Sequence, residues 1–198
     1  MTGSAFSTTM AKVTGKGVTI QSPGQGGGDL ICYGRVSASG WSTPWVATCR
    51  MVYMYVGALR FPSFGILMQD TAGKIEILHV QGTSGTGVNL YLDHYSDNKT
   101  IVQHWYTGAT GQTLPNWFRV GYDGTNLYWG ISYDGIYWNG WFDNTYLGTI
   151  AYVGIGGDNS FYNTSNGPPP NPATGPSLWG ALLTYWDDPS HPASSHIL

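Results

Sequence analysis

Cleavage of a sugar linkage by paired carboxylates needs two acids on one strand face. For retention they stand about 5–5.5 Å apart, a separation that residues i and i+2 of a strand supply. The chain has a single glutamate, Glu76, inside KIEILHV, with no acid two residues to either side. Asp187 and Asp188 are adjacent, so strand alternation sends them to opposite faces, while Asp93 and Asp97 flank an expected turn. No acid pair has the required spacing. Nucleophile chemistry lacks its G-x-S-x-G elbow, and the Ser-rich segments sit in expected tethers. Of the five histidines, His79, His94 and His104 fall on expected strands, and His191 and His196 in the tail. His104 with Asp93 has the residue types of a base and its orienter. A solvent-face histidine in a polar sheet explains the same pair and is the reading adopted. No catalytic residue is expected.

Metal chemistry is equally sparse. No Cys/His cluster has zinc spacing, and no D-x-D-x-D-G loop is present. Loop acids such as Asp158 beside Asn159 are the one place where calcium is considered. The expectation is no metal site and no cofactor.

Sugar recognition asks for less: aromatic rings to stack on sugar CH faces, and Asn, Asp or backbone groups to meet the hydroxyls. The chain holds 9 Trp and 14 Tyr, an aromatic share of 15%. With 41% hydrophobic residues and few leucines, most of these rings must build the core. Two sets escape that duty. A face shared by two strands carries Tyr91, Asp93, Tyr95, His104 and Tyr106, and loops carry Trp41, Asp158, Asn159, Tyr162 and Asn163. Either set is a candidate for carbohydrate binding. The first would serve equally well against a neighbouring subunit.

The elements that position these residues read as strands. Only 10% of residues are charged, against about 25% in an average soluble domain, and Trp, Tyr, Gly and Thr replace the usual helix formers. From Asp29 on, segments such as DLICYGRV, WVATCRMVYMYV, FGILMQD, KIEILHVQ, VNLYLDHYS and KTIVQHWYT follow one another, joined by DTAG, GTSGTG, SDNK and YDGTN turns. A two-residue turn at Asp97-Asn98 would set Tyr95 opposite Thr100, Asp93 opposite Val102 and Tyr91 opposite His104. Leu90, Leu92, Ile101 and Trp105 would then form the apolar face, leaving the tyrosine face wet. In FRVGYDGTNLYWGI, Phe118, Val120 and Tyr122 should share a buried face with Leu127, Trp129 and Ile131. An Asp134-Gly135 turn would put Trp138 opposite Ile131 on that buried side, with Ser132 outward opposite Tyr137.

Residues 1–28 are small and polar and read as a flexible tether or assembly arm with one short strand at KGVTIQS. Residues 29–188 form the domain, with a Pro-rich loop at 160–176, and 189–198 are a tail. Net charge is −3 with only eight basic residues, which supplies no phosphate-neutralising stripe, so nucleic-acid binding is not expected. No apolar run reaches the roughly 18 residues of a span, so membrane insertion is not expected either. MTGSAFSTTMAKV has no basic n-region or apolar h-region, which points to cytoplasmic synthesis without a secretory leader. Cys32 and Cys49 could pair across neighbouring strands, but two reduced, buried thiols are the reading adopted.

Two resemblances bear on ISYDGIYW. The sialidase Asp-box, S-x-D-x-G-x-T-W, is matched at Ser132, Asp134, Gly135 and Trp138 with one residue too few before the tryptophan. It occurs once, and Arg35, Arg50, Arg60 and Arg119 make no shared cluster, so that reading is set aside. The longer stretch 116–141 resembles the concanavalin A-like lectin/glucanase superfamily, with its laminin-G-like and viral members. The pattern is carried by Trp117, Arg119 and Val120, then Gly124, Leu127 and Trp129, then Ser132, Asp134, Gly135 and Trp138. SLWGALLTYW is similar to the superfamily's closing strand. The resemblance implies an all-β, two-sheet antiparallel jelly-roll β-sandwich, while the glucanase branch's catalytic carboxylates have no counterparts. The Gly/Ser/Thr-rich leader on a Trp/Tyr-rich sandwich is also similar to phage tail-fibre, head-fibre and capsid-decoration domains. These readings imply a non-enzymatic, lectin-like module on a virion surface or released outside the cell, with cell-surface glycans or neighbouring virion proteins as partners and a trimer as the expected oligomer. A purely cementing role is the alternative, and a secreted glycoside hydrolase a distant third.

Overall fold

A computed structural model of the chain describes residues 11–14, 17–21, 30–54, 63–82, 88–97, 100–111, 113–143, 146–158 and 180–190. These residues form two sheets. One runs in the order β1 (Ala11–Thr14), β2 (Gly17–Gln21), β13 (Gly180–Asp187), β4 (Trp45–Met54), β9 (Trp117–Tyr122), β10 (Leu127–Ser132) and β11 (Asn139–Asp143). The other runs β3 (Leu30–Ser37), β12 (Ile150–Asp158), β5 (Ser63–Asp70), β6 (Ile75–Gly82), β7 (Val88–Tyr95) and β8 (Ile101–Gly111). Every pairing is antiparallel. This is the jelly-roll sandwich that the resemblance implied. The stretch read as a tether contributes a hairpin, β1 and β2, to the seven-stranded sheet, and KGVTIQS supplies β2. The Pro-rich loop and the tail beyond Ser190 lie outside the described residues.

Strand alternation builds the core. Ala47, Cys49 and Met51 of β4, Phe118 and Val120 of β9, and Trp129 and Ile131 of β10 face Ile66 and Met68 of β5, Leu78 of β6 and Leu92 of β7. Burying a large apolar side chain contributes about 1.5–3 kcal/mol, so this interior is the main source of stability. The thiol of Cys49 is free and buried, and burial pushes its pKa up. The side chain of Cys32 is outside the described residues.

The β9–β10 hairpin has the expected register, with Phe118 opposite Ile131, Val120 opposite Trp129 and Tyr122 opposite Leu127. Its turn is held by Asp123 Oδ1, which accepts N–H donations from Thr125 at 2.8 Å and Asn126 at 2.7 Å. The β10–β11 connection departs from expectation. Ile131 pairs with Asn139, not Trp138, because the loop is longer than an Asp-Gly turn. Asp134 Oδ1 accepts the N–H groups of Ile136 at 2.8 Å and Tyr137 at 2.9 Å, and Gly135 takes a φ of 79°. Ser132 is therefore buried, not outward. Its Oγ accepts the Gly135 N–H at 2.8 Å and donates to Asp134 Oδ1 at 3.0 Å.

Candidate functional site

The expected wet face is not wet. Asp93 and Tyr95 are 0% exposed and Tyr91 is 8% exposed. Asp93 pairs with His79 of the adjacent strand at 2.7 Å, and Tyr91 stacks on the His79 ring at 5.7 Å. Tyr95 packs with Leu67, Ile75 and Ile77 in a second apolar cluster on the sheet's outer side. The β7–β8 register also differs: Asp93 faces His104 and Tyr91 faces Tyr106, because the ladder starts with Tyr95 opposite Ile101, one residue later than expected, and a bulge at His94/Tyr95 shifts it once more. His104 and Tyr106 thus share the backbone rows of the expected set, with side chains outside the described residues. Ile101 and Trp105, expected in the apolar interior, are partly exposed. Strand parity was read correctly for Tyr91, Asp93, Tyr95 and Trp105 but not for Ile101, which pairs with Tyr95, and both faces of β7 are covered.

Of the loop set, Trp41 is half-buried. Its indole N–H donates to Ser190 Oγ at 2.6 Å, and its ring meets Trp45 edge-on at 5.1 Å. It lines an open hollow of about 640 Å³ with Asp188, Pro189 and Ser190. Asp188 is spent on structure, accepting from the Trp186 indole and from the Ser190 N–H. Asp158 ends β12 opposite Leu30, and Asn159, Tyr162 and Asn163 lie outside the described residues.

The exposed aromatic surface lies elsewhere, on the outer face of the seven-stranded sheet. Two rows cross β4, β9, β10 and β11 there. One runs Val46, Gly121, Tyr128, Phe142, and the other Thr48, Arg119, Gly130, Gly140. Phe142 is 71% exposed and Tyr128 is 45% exposed. Of the three glycines Gly140 is exposed, while Gly121 and Gly130 are buried under neighbouring side chains. A Cβ on Gly130 would touch the Trp138 ring at 3.4 Å, and on Gly121 or Gly140 it would meet a carbonyl oxygen at 3.2 Å. Trp138, expected in the core, lies half-buried over Gly130, with the Arg119 guanidinium 3.7 Å above its ring. Arg119 Nε donates to Thr48 Oγ1 at 3.2 Å, and burial lowers its pKa. The result is a shallow trough of about 460 Å³, floored by glycine and walled by Tyr128, Phe142 and Trp138. At its rim Asp123 accepts the Tyr128 hydroxyl at 2.8 Å. That carboxyl is held well below the usual range, chiefly by the Asn126 backbone N–H. Sequence reasoning missed this set because its signal, three glycines and two rings in register, exists only once the strands are paired.

A different group converges at one end of the interior. Glu76 of β6, His94 of β7 and Asp143 of β11 are all buried. His94 Nε2 stands 3.2 Å from Asp143 Oδ2 and 3.6 Å from Glu76 Oε1. Burial holds the Glu76 carboxyl above the usual range, with His94 and Asp143 acting in opposite directions on it. Two carboxyls that the sequence keeps far apart therefore meet, but away from solvent and with a histidine among them.

No family model matches the sequence, and no curated protein matches it. Solved structures do. A functionally unknown protein from Saccharomyces cerevisiae superimposes with a TM-score of 0.58 at 12% identity, covering 91% of each chain. A GH43 protein from Bacillus licheniformis gives 0.57 at 11% identity, over 87% of this chain and 32% of that one. This chain thus spans about a third of that protein's length. An alginate lyase from Klebsiella pneumoniae gives 0.55 at 10% identity, over 93% of this chain and 85% of that one. At such identities what is shared is the fold, a two-sheet jelly-roll sandwich.

Proposed function

We propose that this protein is a non-enzymatic, lectin-like module that binds surface glycans through the trough on its seven-stranded sheet. One observation carries the reading: the exposed rings of Tyr128 and Phe142 are cross-strand neighbours beside the exposed Gly140, so the CH face of a sugar ring can lie against them. Stacking on such rings is a low-entropy way to gain contact area, and Arg119, which lines the trough, offers hydrogen bonds. Among the described residues the trough is lined by one acid, Asp123, which is committed to its own turn. Two-carboxylate cleavage has no machinery there. The fold shared with an alginate lyase is one that accommodates polysaccharide work.

The setting we propose is a virion surface, with the module displayed in several copies, a trimer being the simplest. Weak single contacts then add by avidity. The test is a glycan array followed by titration calorimetry with the full chain. Saturable binding that is lost in Tyr128→Ala and in Phe142→Ala, and kept in Tyr128→Phe, is expected. No binding to any glycan would leave a cementing role in place of recognition. Cleavage of a polysaccharide by the purified protein would refute the non-enzymatic reading.

A further inference from the structure

The Glu76, His94 and Asp143 group is independent of the trough. Glu76 and His94 are register partners on β6 and β7. They share the inner face with Leu78, two residues after Glu76, and Leu92, two residues before His94. Asp143 is the last residue of β11 and arrives from the opposite sheet. The three donor atoms lie within 4.8 Å of one another, and Glu76 is 0% exposed. No hydrogen bond of ordinary geometry closes on either oxygen of Glu76 or on Nε2 of His94, although His94 and the Trp129 indole stand near enough to favour the Glu76 carboxylate.

The spacing is informative. A charge-assisted N–H···O bond closes to about 2.7–2.9 Å. His79 and Asp93 do so in this same sheet, at 2.7 Å. His94 stands off from its two carboxylates at 3.2 and 3.6 Å. Donors sharing one ion at about 2.0–2.1 Å, with tetrahedral angles between them, are separated by about 3.3–3.5 Å. The His94 ring is also fixed in place, stacked on Tyr146 at 4.0 Å and 7° and flanked by Trp105 at 4.7 Å.

We propose that Glu76, His94 and Asp143 hold one divalent first-row transition-metal ion, zinc above all, which fastens the two sheets together at this end of the sandwich. One imidazole with two carboxylates suits zinc or manganese. Calcium asks for about 6–8 oxygens and does not fit. A water or the second oxygen of a carboxylate completes the shell. The ion's two charges would offset those of the buried Glu76 and Asp143 carboxylates.

The test uses the full chain without a polyhistidine tag, stripped with EDTA and titrated with Zn²⁺, Mn²⁺ and Ca²⁺. About one zinc per chain is expected, with a higher melting temperature on loading and no response to calcium. Co²⁺ should give a d–d band of low coordination number. Glu76→Gln and Asp143→Asn keep side-chain volume, and each should cut zinc occupancy to about a tenth and abolish the melting shift. Circular dichroism checks that they fold, and if neither does, the wild-type zinc and cobalt titrations decide alone. Zinc stoichiometry near zero in the wild type, or occupancy and melting shift unchanged in a folded variant, overturns the proposal.

Discussion

The Nε2 of His79 lies 2.7 Å from Oδ2 of Asp93, and neither side chain is reached by solvent. The pair joins β6 to β7 on the outer side of the six-stranded sheet, beneath the Tyr91 ring. Removing one member of a buried pair strands the other, a loss of about 3–5 kcal/mol. His79→Ala and Asp93→Ala should each lower stability by about that amount in urea unfolding. The double change should cost well under the sum of the two, and full additivity would show that the pair does not act as a unit.

Arg119 and Trp138 form the second coupled pair, with 3.7 Å between the guanidinium carbon and the ring centroid. A cation over an indole contributes about 0.5–2 kcal/mol depending on desolvation. Arg119→Leu should lose about 1 kcal/mol and change the tryptophan emission as the ring loosens. Arg119→Lys should recover only part of both, because an ammonium does not stack as a planar guanidinium does.

Gly135 has a φ of 79°, and a Cβ there would lie 2.8 Å from Cε2 of Trp117. Gly135→Ala combines a disfavoured backbone region with a clash against a half-buried ring. A loss of about 1–3 kcal/mol is expected, read by thermal melting. Gly73→Ala also has positive φ, at 91°, but meets nothing within 4 Å, so it should lose less. Equal losses at both sites would mean that the Trp117 contact counts for nothing.

Asp123 accepts from Asn126, Tyr128 and Thr125, which together hold its carboxyl well below the usual range. As pH falls the unfolded chain takes up the proton first, near pH 4 by the ordinary value of about 3.9. The stabilisation is therefore complete above that pH and is lost as pH drops through the folded value. Asp123→Asn should melt lower than the parent at pH 7, with the two curves converging in acid. A gap of constant size across that range would assign the loss to the turn's shape and not to its charge.

Local pattern carried most of the architecture. The β9–β10 hairpin could be read residue for residue because Phe118, Val120, Trp129 and Ile131 alternate without a break and the turn between them is short. Alternation specifies parity, however, and not which side is wet. For Tyr91, Asp93 and Tyr95 it placed the side chains together correctly and their environment wrongly, since β7 is buried on both faces. A ladder starting one residue later at the turn, with Tyr95 opposite Ile101, and a single-residue bulge at His94/Tyr95 together moved His104 opposite Asp93, where a regular two-residue hairpin had Val102. The Glu76, His94 and Asp143 group had no local signature, because its third member crosses from the other sheet. Trp138 was assigned to the core from a turn length, and one longer loop carried it to the opposite face of the sheet.

Edge strand β11 bonds to β10 alone among the described strands, leaving one rim of its ladder open beside Phe142. Its brevity, five residues with Gly140 among them, limits what an incoming chain could gain by extending the sheet. In concentrated solution this seam is where copies would begin to stick edge to edge. A charged residue in place of Phe142 would be the simplest gatekeeper against precipitation.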